Sequence, residues 1–373
     1  MKILQVTPFF SAFHGGSAEV PYQLSRELAR RGHRVTVYTS DFQIGDTQIP
    51  GVTIRAFKTR FSQAKFYVTP GIAAEARANI KNFDVVHLHN YRTYQNIVVR
   101  GPAVKHGIPY VLQAHGSLTT FFQRKMLKKV FDLAWGNRIL RDASGLLAVT
   151  DAEAAQYRSM GATENKIKII PHGIDLAEFA SLPERGEFRR KYGLGESKIV
   201  LFVGRLDNTK GLDLLARAFA GLARDEARLV IVGPDFGYLK PLQALIKELD
   251  LQKNIVITGP LYGREKLAAY ADADVHVLPS SYEIFGITTL EAMACGTPVI
   301  VTDRCGLADA VKDAGLVIPH DEKALCRAMQ QLLDNDKMRQ ACAEKGKLLV
   351  RDKFNWAKIA AQIEAVYEEA GRR

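Results

Sequence analysis

The chain has 373 residues, 47% hydrophobic and 24% charged, an ordinary balance for a soluble globular protein and more sequence than one core usually absorbs, so two domains are expected. No apolar run approaches the roughly 18 residues of a spanning helix, and Cys295, Cys305, Cys326 and Cys342 lack C-x-x-C spacing, which excludes a disulfide scaffold or a cysteine metal site. The net charge of +11 resides in the first half: residues 1–173 hold 23 Lys and Arg against 11 Asp and Glu, and the remainder nets −1, so one half is expected to meet something anionic.

The amino terminus enters a strand directly at Ile3–Val6. It does not read as a secretion leader, and a cytoplasmic location is expected. Further strands are predicted at Val35–Tyr38, Val85–Leu88, Tyr110–Gln113 and Gly145–Val149, then at Ile199–Val203, Leu229–Val232, Ile255–Ile257, Val275–Leu278 and Val299–Val301. Nearly continuous apolar strands separated by amphipathic helices imply parallel sheets covered on both faces, that is, two doubly wound α/β units in tandem. Pro171 and Gly173 break the pattern near Ile170–Asp175, which puts the joint there. The predicted domains are 1–173 and 174–355, followed by an amphipathic helix near the end.

After the first strand, Phe13-His14-Gly15-Gly16-Ser17 precedes a helix over Glu19–Arg31. Paired glycines let backbone approach a ligand, and the helix start favours an anion; a plain tight turn reads the same way. G-x-G-x-x-G is missing, which disfavours a nicotinamide oxidoreductase. His115-Gly116 follows a strand at its carboxyl end, the ligand edge of such sheets. His87 and His89 alternate to one face without a matched carboxylate, so no metal is assigned to them. Gln123 to Phe131 carries Arg124, Lys125, Lys128 and Lys129, with Phe122, Met126 and Val130 on another face. Such a helix suits an anionic membrane or an ordinary surface. No nucleic-acid signature is present.

In the second half, Arg205 and Lys210 stand in Gly204-Arg205-Leu206-Asp207-Asn208-Thr209-Lys210-Gly211 after a strand, where they can neutralise a diphosphate. Glu283 and Glu291 lie eight residues apart. The first falls on a loop and the second inside a helix whose open N-terminus, at Gly286, Ile287 and Thr288, offers unpaired N–H groups and partial positive charge. Acidic groups flanking an anion site match a sugar–diphosphate–nucleoside.

The pattern E-x(7)-E followed by Ala292-Met293-Ala294-x-Gly296-x-Pro298-Val299 resembles the retaining glycosyltransferases of family 4. The glycine loop, His115-Gly116, Pro171-His172-Gly173-Ile174-Asp175, Gly204-Arg205 with Lys210-Gly211, and the terminal Trp356 helix agree in order. The chain departs from the family at Cys305-Gly306 and Asp309, where Gly-Gly and Glu are usual, and at His172, where Asn is common.

The resemblance implies two Rossmann-like domains facing each other across a cleft, the GT-B fold, with 356–373 crossing back to the first. It implies metal-independent transfer of a hexose-type sugar from a UDP- or GDP-sugar to a glycan or lipid-linked acceptor, with no cofactor. Glu283 would bind the sugar and Glu291 the ribose, Arg205 and Lys210 the diphosphate with the N–H groups near Gly286 and Ile287, and His115 would orient the sugar. Gly15 and Gly16 would admit the donor, and Phe42–Pro50 and Thr59–Pro70 would meet the acceptor. A sugar-nucleotide epimerase and a non-catalytic sugar-nucleotide-binding subunit are the alternatives.

Overall fold

A computed structural model of the chain describes residues 1–11, 16–42, 44–45, 47–63, 66–119 and 125–372, except the side chain of Ser17. Gly15, and Arg124 of the basic segment, lie outside the described residues. Contacts cluster into two units, Met1–Gly173 with Trp356–Arg373 and Ile174–Asn355.

In the first unit, strands β1 (Lys2–Val6), β2 (Arg34–Ser40), β3 (Val52–Phe57), β6 (Val85–His89), β7 (Tyr110–Gln113), β8 (Gly145–Ala148) and β9 (Ile167–Ile169) form one sheet in the order β3-β2-β1-β6-β7-β8-β9. All its pairings are parallel. A small antiparallel hairpin, β4 (Phe61–Gln63) with β5 (Phe66–Val68), stands apart. Strands β1, β6, β7 and β8 are buried along nearly their whole length, as expected where helices cover both faces. The helix Trp356–Gly371 belongs to this unit and buries Ile359, Ile363 and Tyr367.

The second unit holds β10 (Lys198–Val203), β11 (Ala227–Val232), β12 (Ile255–Gly259), β13 (Val275–Leu278), β14 (Val299–Thr302) and β15 (Leu316–Ile318) in the parallel order β12-β11-β10-β13-β14-β15. In each sheet the winding direction reverses once, between β1 and β6 and between β10 and β13. Loops leaving the carboxyl ends of such strand pairs splay apart and form the ligand crevice of doubly wound folds.

All ten strands read from the sequence are present. Those it missed are β3, whose residues are mostly half or fully exposed, the hairpin β4–β5, and two three-residue edge strands, β9 and β15. The predicted helix over Glu19–Arg31 spans Gly16–Arg30.

Candidate functional site

In the second unit the crevice is built by the loops after β10 and β13. They are tied together by main chain: Ser281 N–H donates to Thr209 O at 2.9 Å. Gly211, at φ +64°, caps the helix Leu212–Ala220; a Cβ there would stand 2.1 Å from Pro279 O. Only glycine tolerates both that approach and that φ. Lys210, 9% exposed, lies beside this contact and donates to Glu283 Oε2. A pair this enclosed loses hydration from both charges, so its geometry is fixed more tightly than that of a surface pair.

Glu283 is itself anchored by backbone. Its N–H donates to Arg304 O at 3.1 Å, and its carbonyl accepts from Gly306 N–H at 2.8 Å. Cys305, where the sequence departs from the family, is buried there, and its thiol donates to Phe285 O at 3.3 Å. Burial pushes this thiol up to about 12, with the charge of Glu283 adding to the effect, so it acts as packing and not as a nucleophile. Gly286 caps the helix Ile287–Ala294 at φ +96°. The first N–H groups of that helix have no intrahelical acceptor, as at any helix start.

Glu291 lies inside that helix and is 5% exposed. Both of its oxygens are engaged: Oε1 accepts from Lys266 Nζ and Oε2 from the Tyr270 hydroxyl, each at 2.8 Å. Lys266 and Tyr270 come from the helix Gly263–Asp272. A carboxylate has about four lone-pair sites, so two acceptor directions remain after these bonds. Arg205 is about half exposed; it pairs with Asp207 at 3.3 Å and lies over the Phe236 ring at 5.2 Å. A cavity of about 360 Å³ opens nearby at the ends of β10 to β12, lined by Leu206, Gly233, Asp235, Gln243 and Thr258 among others. Thus Lys210 and Glu283 are in contact, Arg205 stands on the same loop as Lys210, and Glu291 is held by two partners of its own.

In the first unit His115 follows β7 at φ +53°, an unusual backbone for a non-glycine residue and one found at functional turns. Its Nε2 lies 2.8 Å from His89 Nδ1. The rings of His87 and His89 stack at 4.1 Å, His89 and His115 at 5.1 Å, and His172 tilts against His115 at 5.1 Å. Burial pushes His87, His89 and His115 well below the usual imidazole range, with neighbouring histidines adding to the effect; burial alone takes His172 down to about 3. All four rings are therefore neutral near pH 7. Among the described residues no group of three His, Cys, Asp or Glu side chains is placed to hold a metal ion.

The turn at His115 has a support that sequence reasoning missed. Glu153, fully buried, accepts from Gly116 N–H at 2.6 Å and Val149 N–H at 2.9 Å. Burial raises its carboxyl to about 7, against the lowering effect of those two bonds. The available signal was Thr150-Asp151-Ala152-Glu153, a capping-box spacing directly after a strand. Thr150 caps the helix Asp151–Ser159 in the ordinary way, but Glu153 turns its carboxylate to the neighbouring loop. Lys266 and Tyr270 carried no readable signal.

The basic helix runs Lys125–Phe131 and continues to Asp142. Met126 and Val130, expected on an apolar face, are exposed together with Leu127, Leu133 and Trp135. No helix among the described residues is long and apolar enough to cross a membrane.

Comparison with known proteins gives two family matches. Residues 14–178 fit the glycosyltransferase family 4 model, and residues 184–369 fit the model for glycosyl transferases group 1. A D-inositol 3-phosphate glycosyltransferase of Kineococcus radiotolerans is 30% identical, over 95% of this chain and 91% of that protein. Among solved structures, the sucrose-phosphate synthase of Thermosynechococcus elongatus superposes with a TM-score of 0.81 at 24% identity, over 99% of both chains. An Anabaena protein solved in complex with UDP-glucose gives 0.80 at 20% identity, also over 99% of both. These superpositions establish the two-Rossmann GT-B fold.

Proposed function

This chain belongs to the family 4, group 1 glycosyltransferases, and from that premise we propose that it transfers a hexose-type sugar from a UDP- or GDP-sugar to an acceptor hydroxyl with retention of anomeric configuration and without a metal. The observation that carries this reading is the Lys210–Glu283 pair at the winding reversal of the second sheet. It puts a cation and a carboxylate beside the open N-terminus of the helix Ile287–Ala294.

In this reading Lys210 and Arg205 receive the diphosphate with the N–H groups near Gly286, Ile287 and Thr288. Negative charge grows on the diphosphate as the sugar leaves, so cations already in position lower the barrier. Glu283, oriented by Lys210 and by the 303–306 loop, accepts sugar hydroxyls. Glu291 spends its remaining acceptor directions on the ribose. The cavity beside Gly233 has a volume suited to a small aromatic ligand and would house the base. Gly15 and Gly16 would admit the donor, and His115 would orient the sugar.

The acceptor is proposed to be a glycan or a lipid-linked sugar, with the chain working at the cytoplasmic face of a membrane. The exposed Leu127, Leu133 and Trp135 beside Lys125 and Lys129 support that setting, because apolar side chains flanked by cations suit an anionic bilayer surface. Thermal-shift screening against UDP- and GDP-sugars, followed by transfer assays with stabilising donors, tests the reading. A stabilising donor that is transferred supports it; donor epimerised without transfer would point instead to a sugar-nucleotide epimerase.

A further inference from the structure

We propose that Gln5, through His89, locks His115 as its Nε2–H tautomer, so that its one ring proton is committed to His89 and Nδ1 is left as an acceptor for a sugar hydroxyl. The inference deepens the reading that His115 meets the transferred sugar. It follows from hydrogen-bond bookkeeping along a buried chain that begins on the terminal helix.

Tyr367 and Gln5 are 362 residues apart in sequence, yet Gln5 Nε2–H donates to the Tyr367 hydroxyl at 3.2 Å. That hydroxyl lies 2.6 Å from His87 Nδ1, and a hydroxyl can donate or accept there. The other end of the Gln5 amide, Oε1, faces His89 Nε2. A carbonyl oxygen only accepts, so His89 carries its proton on Nε2. A neutral imidazole has a single N–H, which makes His89 Nδ1 an acceptor. His115 Nε2, facing it at 2.8 Å, is then the donor. His115 Nδ1 is left bare; it is buried and without a hydrogen-bond partner among the described residues. An unpaired buried acceptor is unfavourable until a donor reaches it, and a sugar hydroxyl supplies one.

Neutrality of the rings is required, and burial with mutual ring repulsion provides it. The Gln5 amide sets the direction of the whole chain. Turned over, it would donate to His89, and His115 would carry its proton on Nδ1. Gln5 therefore acts as a positioning residue, through His89.

Long-range proton–nitrogen correlation on the full-length protein, labelled with ¹⁵N-histidine and without ligand, reads each tautomer. The His115 signals are assigned by their loss in His115→Gln. The wild type is expected to show His115 protonated at Nε2 and bare at Nδ1. Gln5→Leu, which removes the acceptor for His89, is expected to show a mixture of both His115 tautomers; Gln5→Glu, whose carboxylate also only accepts, is expected to restore the single form. A proton on Nδ1 in the wild type would overturn the inference, and so would an unchanged tautomer in Gln5→Leu. The wild-type measurement stands even where a variant fails to fold. Because no substrate is involved, failure here is distinct from failure to transfer a sugar.

Discussion

Lys210 reaches from the loop after β10 to Glu283 on the loop after β13, and its ammonium donates to the carboxylate Oε2. One side chain is thus placed to aim Glu283, the carboxylate proposed to bind the sugar, and is itself the cation proposed to meet the diphosphate. Lys210→Ala removes a preorganised charge stabiliser and leaves Glu283 without its cation, so turnover is expected to fall by about 10²–10³. Arg205→Ala, which also loses the ring of Phe236 as a platform, is expected to fall in the same direction. Steady-state kinetics with a transferable donor decide; near-normal turnover in both variants rejects the diphosphate role proposed for Lys210 and Arg205.

Tyr270 holds one oxygen of Glu291 at 2.8 Å. In Tyr270→Phe that oxygen loses its donor inside a closed environment, a loss of about 1–3 kcal/mol in mutational series. The carboxylate then reorients, and donor affinity is expected to drop about tenfold or more while turnover at saturating donor changes less. A KM for donor equal to that of the wild type would show that Tyr270 does not hold Glu291 for the ligand.

Glu153 gives a pH signature. Its carboxyl rises from 4.5 to about 7 in the folded chain, so the folded state holds this proton more tightly than the unfolded one. The resulting stabilisation is full below about pH 4.5 and is lost as pH rises through about 7. The shift corresponds to about 3 kcal/mol. Glu153→Gln does not titrate, so the advantage of wild type over variant in thermal stability is expected to shrink as pH goes from 5 to 8. Parallel pH profiles of Tm for the two proteins would contradict this.

For the basic segment, cosedimentation with vesicles rich in anionic lipid is the measurement. Wild-type binding is expected at low salt and to weaken as salt screens the cations. Leu133→Ser with Trp135→Ser should weaken binding at every salt concentration, because both side chains are exposed. Wild-type chain that stays in the supernatant at low salt would dismiss the membrane reading.

Much of this architecture is legible in the sequence because buried parallel strands are short, continuous apolar runs, as in Ile199–Val203 and Val275–Leu278. Edge strands lack that signature: β3 is largely exposed and β15 has three residues. Lys210, Glu283 and Gly286, proposed to meet the donor, were singled out by their place after strand ends together with the family resemblance. Their partners were not. Lys266 and Tyr270 come to Glu291 from another helix, and Gln5 meets Tyr367 across nearly the whole chain; only the folded sheet brings such pairs together. The π-helical turn Asp132–Gly136 likewise has no sequence mark.

The proposed donor grip assigns the diphosphate of an activated sugar to Lys210 and Arg205 and its ribose to Glu291. Equilibrium titration of the full chain with UDP-glucose and GDP-mannose, alongside Lys210→Ala and Glu291→Ala, tests it most directly. The wild type should bind one of the two donors, with affinity falling at least about tenfold in each variant, as expected for one lost charged contact. Variants that bind as tightly as the wild type, or a wild type that binds neither donor, would contradict it.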